Sequence, residues 1–140
     1  VAYVLKTGEH VNTIPNHLSG KQVLLIHPKR HILTSNVFKK ADETSYLKKD
    51  INDMIQALEE NDIKKIQVNM FNSLEKVVID MDEKMSEFKT YLVEYLGDKG
   101  LVMTGSGSTF IQLIDEVNDE IKAFINKNKG QFLINLYKIV

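Results

Sequence analysis

Four hydroxyl residues interleave with two glycines at Thr104-Gly105-Ser106-Gly107-Ser108-Thr109. The glycines permit backbone angles that other residues avoid, and they let the chain approach a ligand closely. Successive N–H groups in such a loop can converge on an anion. The hydroxyls of Thr104, Ser106, Ser108 and Thr109 add further donors. Two readings follow from the residues: a loop that touches phosphate, or the Gly/Ser turn of a hairpin. A second candidate is the small basic cluster Lys29-Arg30-His31, which can meet a phosphate or serve as a solvated turn. Asp80, Asp82 and Glu83 gather at an expected helix start, where the helix dipole favours negative charge. Capping explains them better than Mg²⁺ binding does. His27 and His31 stand four apart, but Pro28 between them rules out a shared helical face. No HExxH pattern occurs, so no metal site is expected. Ser106 and Ser108 lack an identifiable base and a GxSxG elbow, so neither is expected to be a nucleophile. The residues supply no catalytic group.

The loop needs elements to hold it. Apolar residues run up to it from Leu101 to Met103 and resume at Phe110 and Ile111, so it joins two strands tightly, which demands an antiparallel pair. Gln22 to His27 is the clearest other strand, and its four consecutive large apolar residues suggest burial on both faces. Pro28 ends it. Thr34 or Ser35 is expected to cap a helix that starts at Asn36. Apolar spacing predicts an amphipathic helix over 45–60 and a continuous helical stripe through Ile63, Ile66, Met70, Leu74, Val77 and Val78. A third helix carries Met85, Phe88, Leu92, Tyr95 and Leu96, and Gly97 or Gly100 can end it. A fourth, capped by Asp115 or Asn118, carries Val117, Ile121, Phe124 and Ile125. The core strands are expected at 22–27, 100–104, 109–114 and 131–139. Ala2 to Lys6 and Glu9 to Ile14 read as a hairpin turning at Thr7-Gly8. This order predicts an α+β ferredoxin-like sandwich, a mainly antiparallel four-stranded sheet with helices on one face. Residues 1–18 are expected to form an N-terminal hairpin or arm belonging to a preceding domain, and 19–140 the main domain.

Composition narrows the function classes. The chain has 140 residues, 43% hydrophobic and 26% charged, as in ordinary globular proteins. Its 18 basic and 19 acidic residues leave a net charge of -1, which gives no footprint for nucleic acid. No apolar run approaches the roughly 20 residues of a membrane-spanning helix. The chain has no cysteine, which excludes disulfides and thiolate chemistry and suits the cytoplasm. It starts at Val1 directly in a strand-like run, so a fragment of a longer protein, or a processed chain, is expected.

At Val102-Met-Thr-Gly-Ser-Gly-Ser-Thr-Phe110 the chain resembles the third motif of the GHMP kinases, M-S-G-S-G-P/A-T-x-F. Thr104 replaces the first Ser, and Ser108 the usual Pro or Ala. Val23-Leu-Leu-Ile-His-Pro28 followed by Ile32-Leu-Thr-Ser-Asn-Val-Phe38 is similar to the start of the C-terminal half of the 4-diphosphocytidyl-2-C-methyl-D-erythritol kinases. Phe71-Asn-Ser-Leu-Glu75 looks like that family's N-D-L-E helix. Ala2-Tyr-Val with Gly8-Glu9 looks like its hairpin, and Tyr137 to Val140 like its closing strand. Lys29 and Arg30 depart from it, standing where the family usually has Gly and a small apolar residue. The superfamily's Gly-Leu-Gly-Ser-Ser phosphate loop is absent, as are the catalytic Asp and Lys of the N-terminal half.

The resemblance implies a substrate-binding half of a kinase that moves the γ-phosphate of ATP, with Mg²⁺, to a cytidine diphosphate derivative in isoprenoid synthesis. Gly105 to Thr109 would abut the phosphate loop of an N-terminal kinase domain. Thr34 and Phe38 match positions that line the cytidine pocket, with Phe38 stacking on the base, while Asn72 has a structural role. The chain alone should be inactive. Two alternatives stand beside this: another GHMP kinase, of homoserine or mevalonate kinase type, and a non-catalytic ferredoxin-like binding module.

Overall fold

In a computed structural model of the chain, residues 1–5, 8–15, 17–44 and 48–140 are described. The elements are β1 (Ala2–Leu5), β2 (His10–Thr13), β3 (Gln22–His27), α1 (Thr34–Glu43), α2 (Asn52–Glu59), α3 (Ile63–Asn69), α4 (Ser73–Met81), α5 (Glu83–Leu96), β4 (Leu101–Met103), β5 (Phe110–Ile114), α6 (Asp119–Asn128) and β6 (Leu133–Lys138). β1 and β2 form a separate antiparallel hairpin. The other four strands make one sheet in the order β4-β5-β3-β6, with every neighbouring pair antiparallel. This is the expected α+β fold with an antiparallel four-stranded sheet, but helices lie against both faces of the sheet and not one.

Strand alternation divides the sheet into two faces. Leu24 and Ile26 pair with Gln112 and Phe110, and these rows look toward the helices. There they meet Val37 of α1, Val77 and Val78 of α4, Met85, Phe88 and Leu92 of α5, and Phe124 of α6. Phe110, Leu24 and Ile26 are fully buried, and each such side chain contributes about 1.5–3 kcal/mol. Phe88 packs edge-on against Phe110 and Phe132. The alternate residues Val23 and Leu113 belong to a second, smaller core with Ile14, Ala57, Leu58 and Ile66. This core places α2 and α3 beside the opposite face.

Several local expectations change. The helix expected over 45–60 is α2, Asn52–Glu59. Residues 48–51 are not helical, and the Asp50 side chain instead accepts the Asn52 amide. The expected strand end Lys6, turn residue Thr7, loop residue Asn16 and helix start at 45–47 lie outside the described residues. The apolar stripe from Ile63 to Val78 is two helices, because Met70 to Asn72 leave helical geometry and Asn72 caps α4. The stripe is divided between two cores, since Ile66 belongs to the second and Val77 and Val78 to the main one. α1 starts at Thr34, two residues earlier than expected, and neither Thr34 nor Ser35 caps it: Leu33 holds the cap position with no side-chain bond. Asp82 and Asn118 do cap α5 and α6, and α5 ends at Gly97 with φ +75°.

Candidate functional site

The loop between β4 and β5 is a compact turn. The Thr104 amide donates to the Thr109 carbonyl at 2.8 Å, and the Gly107 amide returns to Thr104 O at 3.0 Å. Gly105 and Gly107 take φ of +53° and +88°, angles at which a side chain is strained. Among the described residues, the amides of Gly105 and Ser106 make no hydrogen bond. They remain available to an anion.

Ser106 and Ser108 have different partners. The Ser106 hydroxyl lies 2.9 Å from Thr34 Oγ1. Ser108 is 3% exposed; its hydroxyl donates to the Arg30 carbonyl and lies 3.5 Å from His27 Nε2. His27 Nδ1 accepts the Lys29 amide, which leaves the proton of a neutral ring on Nε2, facing Ser108. Ser108 therefore fastens the loop to the β3–α1 turn, while Ser106 reaches the start of α1.

α1 brings two of the expected residues to one side. Val37 and Ala41 are buried in the main core. Thr34 and Phe38, one turn apart, occupy the outer side. Phe38 is 51% exposed, with no ring partner among the described residues. The first turn of α1 has no acidic residue and no side-chain cap, so its positive dipole end is uncompensated beside the loop. Thr34, Ser106 and the free loop amides thus form one hydroxyl- and amide-lined corner, and Phe38 offers an apolar face a turn away.

The basic turn that departs from the expected pattern has a structural explanation. Lys29 takes φ +55°, a backbone conformation that glycine adopts most readily. Its ammonium donates to Gly130 O at 3.1 Å. Arg30 makes a fork to Asp82, with Nε 2.9 Å and Nη2 2.7 Å from Oδ2. Partial burial pushes the Asp82 carboxyl up, but Arg30 and the Met85 and Lys84 amides outweigh it and hold the carboxyl below its ordinary range. Asp80 pairs with Lys76. Both aspartates of the acidic cluster are thus engaged within the protein.

Sequence reasoning undervalued Asn72 and Glu75. Asn72 Oδ1 accepts the Leu74 amide and caps α4. Its Nδ2 donates to Met103 O at 2.7 Å and to Gly105 O at 2.8 Å. Glu75 Oε2 accepts the Met103 amide at 2.7 Å, and Oε1 pairs with Lys89. The Asn-x-x-Glu spacing has the form of a capping box. Here the glutamate serves β4, a destination visible only once the fold brings α4 beside that strand.

Comparison with known proteins follows from this arrangement. The family model described as GHMP kinases C terminal matches residues 54–130, more than half of the chain. The chain belongs to the GHMP kinase C-terminal family. A 4-diphosphocytidyl-2-C-methyl-D-erythritol kinase of Clostridium tetani is 31% identical over 103 residues, covering 73% of this chain and 36% of that protein. A similarly named kinase of Clostridium botulinum (strain Loch Maree / Type A3) is 29% identical over 111 residues, covering 79% of this chain and 39% of that protein. The chain thus spans well under half the length of these curated relatives. A crystal structure of a 4-(cytidine 5'-diphospho)-2C-methyl-D-erythritol kinase shares the fold with a TM-score of 0.63 at 16% identity, over 99% of this chain and 50% of that one. A homoserine kinase from Cytophaga hutchinsonii does so with a TM-score of 0.63 at 16% identity, over 94% of this chain and 45% of that one. Among the described residues, no helix is long and apolar enough to cross a membrane.

Proposed function

We propose that this domain is the C-terminal, acceptor-binding part of a cytoplasmic 4-diphosphocytidyl-2-C-methyl-D-erythritol kinase. In that enzyme the γ-phosphate of ATP passes to a hydroxyl of the erythritol unit, with Mg²⁺ supplying positive charge at the phosphates. Phosphoryl transfer depends on positioning and charge stabilisation, which suits a domain without a base or nucleophile of its own. The Gly105 and Ser106 amides face the phosphates. Thr34 hydrogen-bonds the acceptor, and Phe38 stacks on its cytosine. The nucleotide's phosphate loop and the catalytic Asp and Lys belong to a preceding kinase domain.

The observation that carries this reading is the 2.9 Å contact between Thr34 and Ser106. It joins the acceptor-side helix to the phosphate-side loop, so that one corner can hold both the transferred group and its recipient. The names of the clostridial relatives favour the cytidine-bearing acceptor. The homoserine kinase shares the fold equally well, which keeps a small hydroxy amino acid acceptor as the second reading.

Cytidine nucleotide binding separates the two. In the protein carrying both halves, Phe38→Ala is expected to weaken cytidine diphosphate binding about ten-fold or more, the effect of losing one base stack. Calorimetric titration reads this directly. Unchanged cytidine affinity in the variant removes Phe38 from the pocket. Failure of the parent to bind cytidine nucleotides, together with phosphorylation of homoserine, would establish the second reading instead.

A further inference from the structure

Met103 is the last residue of β4, which lies at one edge of the sheet. Its amide and its carbonyl are both taken by side chains of α4's first turn, the amide by Glu75 and the carbonyl by Asn72. The same Asn72 amide nitrogen reaches two residues further and holds Gly105 O at 2.8 Å. A single side chain therefore spans the junction between strand and loop. Its oxygen is meanwhile occupied by the Leu74 amide, so the carboxamide is fixed at both ends. Glu75 is braced in turn by Lys89, whose ammonium lies 5.3 Å from the centre of the buried Phe110 ring.

We propose that Asn72 is a positioning residue for phosphate transfer. It latches the Gly105–Thr109 loop onto α4 and sets the direction in which the Gly105 and Ser106 amides point. This rests on the kinase reading above and deepens it. The loop's own bonds, Thr104 to Thr109 and Gly107 to Thr104, close the turn on itself but do not orient it on the domain. Ser108 ties one flank to the Arg30 carbonyl. Asn72 ties the other, next to the two free amides. Without it Gly105 loses its only hydrogen-bonded anchor to a helix among the described residues.

Asn72→Asp separates the latch from the cap. Aspartate still accepts the Leu74 amide, being as good an N-cap as asparagine, but it has no donor for Met103 O or Gly105 O. Asn72→Ser also caps and also lacks the reach, which guards against an effect of the added charge. In the 140-residue chain, both variants are expected to speed hydrogen exchange of the Thr104 and Gly107 amides about ten-fold, the loss of two hydrogen bonds of which one is partly buried. Exchange at Val77 and Val78 within α4 should stay unchanged. Unaltered loop exchange overturns the latch. Equal loosening of loop and helix also overturns it, because the residue is then merely structural.

In the protein carrying both halves, Asn72→Asp is expected to raise the KM for ATP about ten-fold with the acceptor KM unchanged. A loosened loop with an unchanged KM for ATP overturns the phosphate role. If the parent shows no kinase activity, the function proposed above falls, and the exchange measurement alone decides the latch.

Discussion

Gly105 and Gly107 both sit at positive φ in the loop, yet they are not equivalent. A Cβ at Gly105 would meet nothing within 4 Å, whereas one at Gly107 would stand 2.9 Å from Met103 Sδ and 3.5 Å from Ile32 Cδ1. Gly105→Ala is therefore expected to cost about 1–2 kcal/mol, the penalty of a left-handed backbone alone. Gly107→Ala adds a clash with the main core and should cost more, about 2–3 kcal/mol. Urea denaturation of the two variants checks the order, and equal midpoints would contradict it. At this scale much was legible in the sequence. The Thr/Gly/Ser run announced a turn able to hold an anion, and its place between apolar runs announced a hairpin. The partners were not legible. Nothing local says that Ser106 meets Thr34 72 residues away, or that Ser108 turns inward to Arg30. Those contacts follow from strand order, which side-chain periodicity does not encode.

Among the elements, α5 and the β3–α1 turn are joined by Arg30 and Asp82. Asp82 has two tasks, accepting the Met85 amide at the helix start and the Arg30 guanidinium. Its folded carboxyl sits below the ordinary range. A group depressed in this way contributes stability above its unfolded pKa, and that contribution is lost as pH falls through the folded value. The chain is thus expected to lose stability below about pH 4 in part through this group. Asp82→Asn keeps a competent cap and removes the charge, so its loss at pH 7 should be modest, about 1 kcal/mol. The gap from the parent should narrow at pH 3; an equal gap at both pH values would contradict this. The cap at Asp82 was evident from sequence, since an acidic residue before an apolar-periodic run is a start signal. The fork was not, because Lys29-Arg30-His31 reads equally well as a solvated turn. The break between α3 and α4 was also hidden, since Met70 and Leu74 keep helical spacing across it.

For the whole molecule, the sandwich was recoverable because its strands differ in burial pattern from its helices and because the loop forced an antiparallel pair. The second core beneath the sheet was less visible. Its members, such as Ile14, Leu58, Ile66 and Leu113, come from separate segments, and each looks like an ordinary apolar position of its own element. The domain offers hydroxyls, amides and an exposed aromatic, but among the described residues no group of three or more His, Asp or Glu side chains converges to hold a metal ion. Incubated with ATP, Mg²⁺ and a cytidine diphosphate acceptor, the 140-residue chain alone is expected to release no ADP; turnover above background would show that the proposed division of labour between two halves is wrong.

The sheet has two rims, and they are finished differently. On the β4 rim, the backbone groups of Met103 are already spoken for by Glu75 and Asn72, and the strand is only three residues long. A foreign strand finds little there to pair with. The β6 rim is six residues long and has only β3 as a strand neighbour among the described residues, with Leu133 and Tyr137 more than half exposed. Open strand rims are templates for addition of another chain. A strand added to this four-stranded sheet is therefore expected at β6 rather than at β4, which leaves the Thr104–Thr109 loop at the far rim unobstructed.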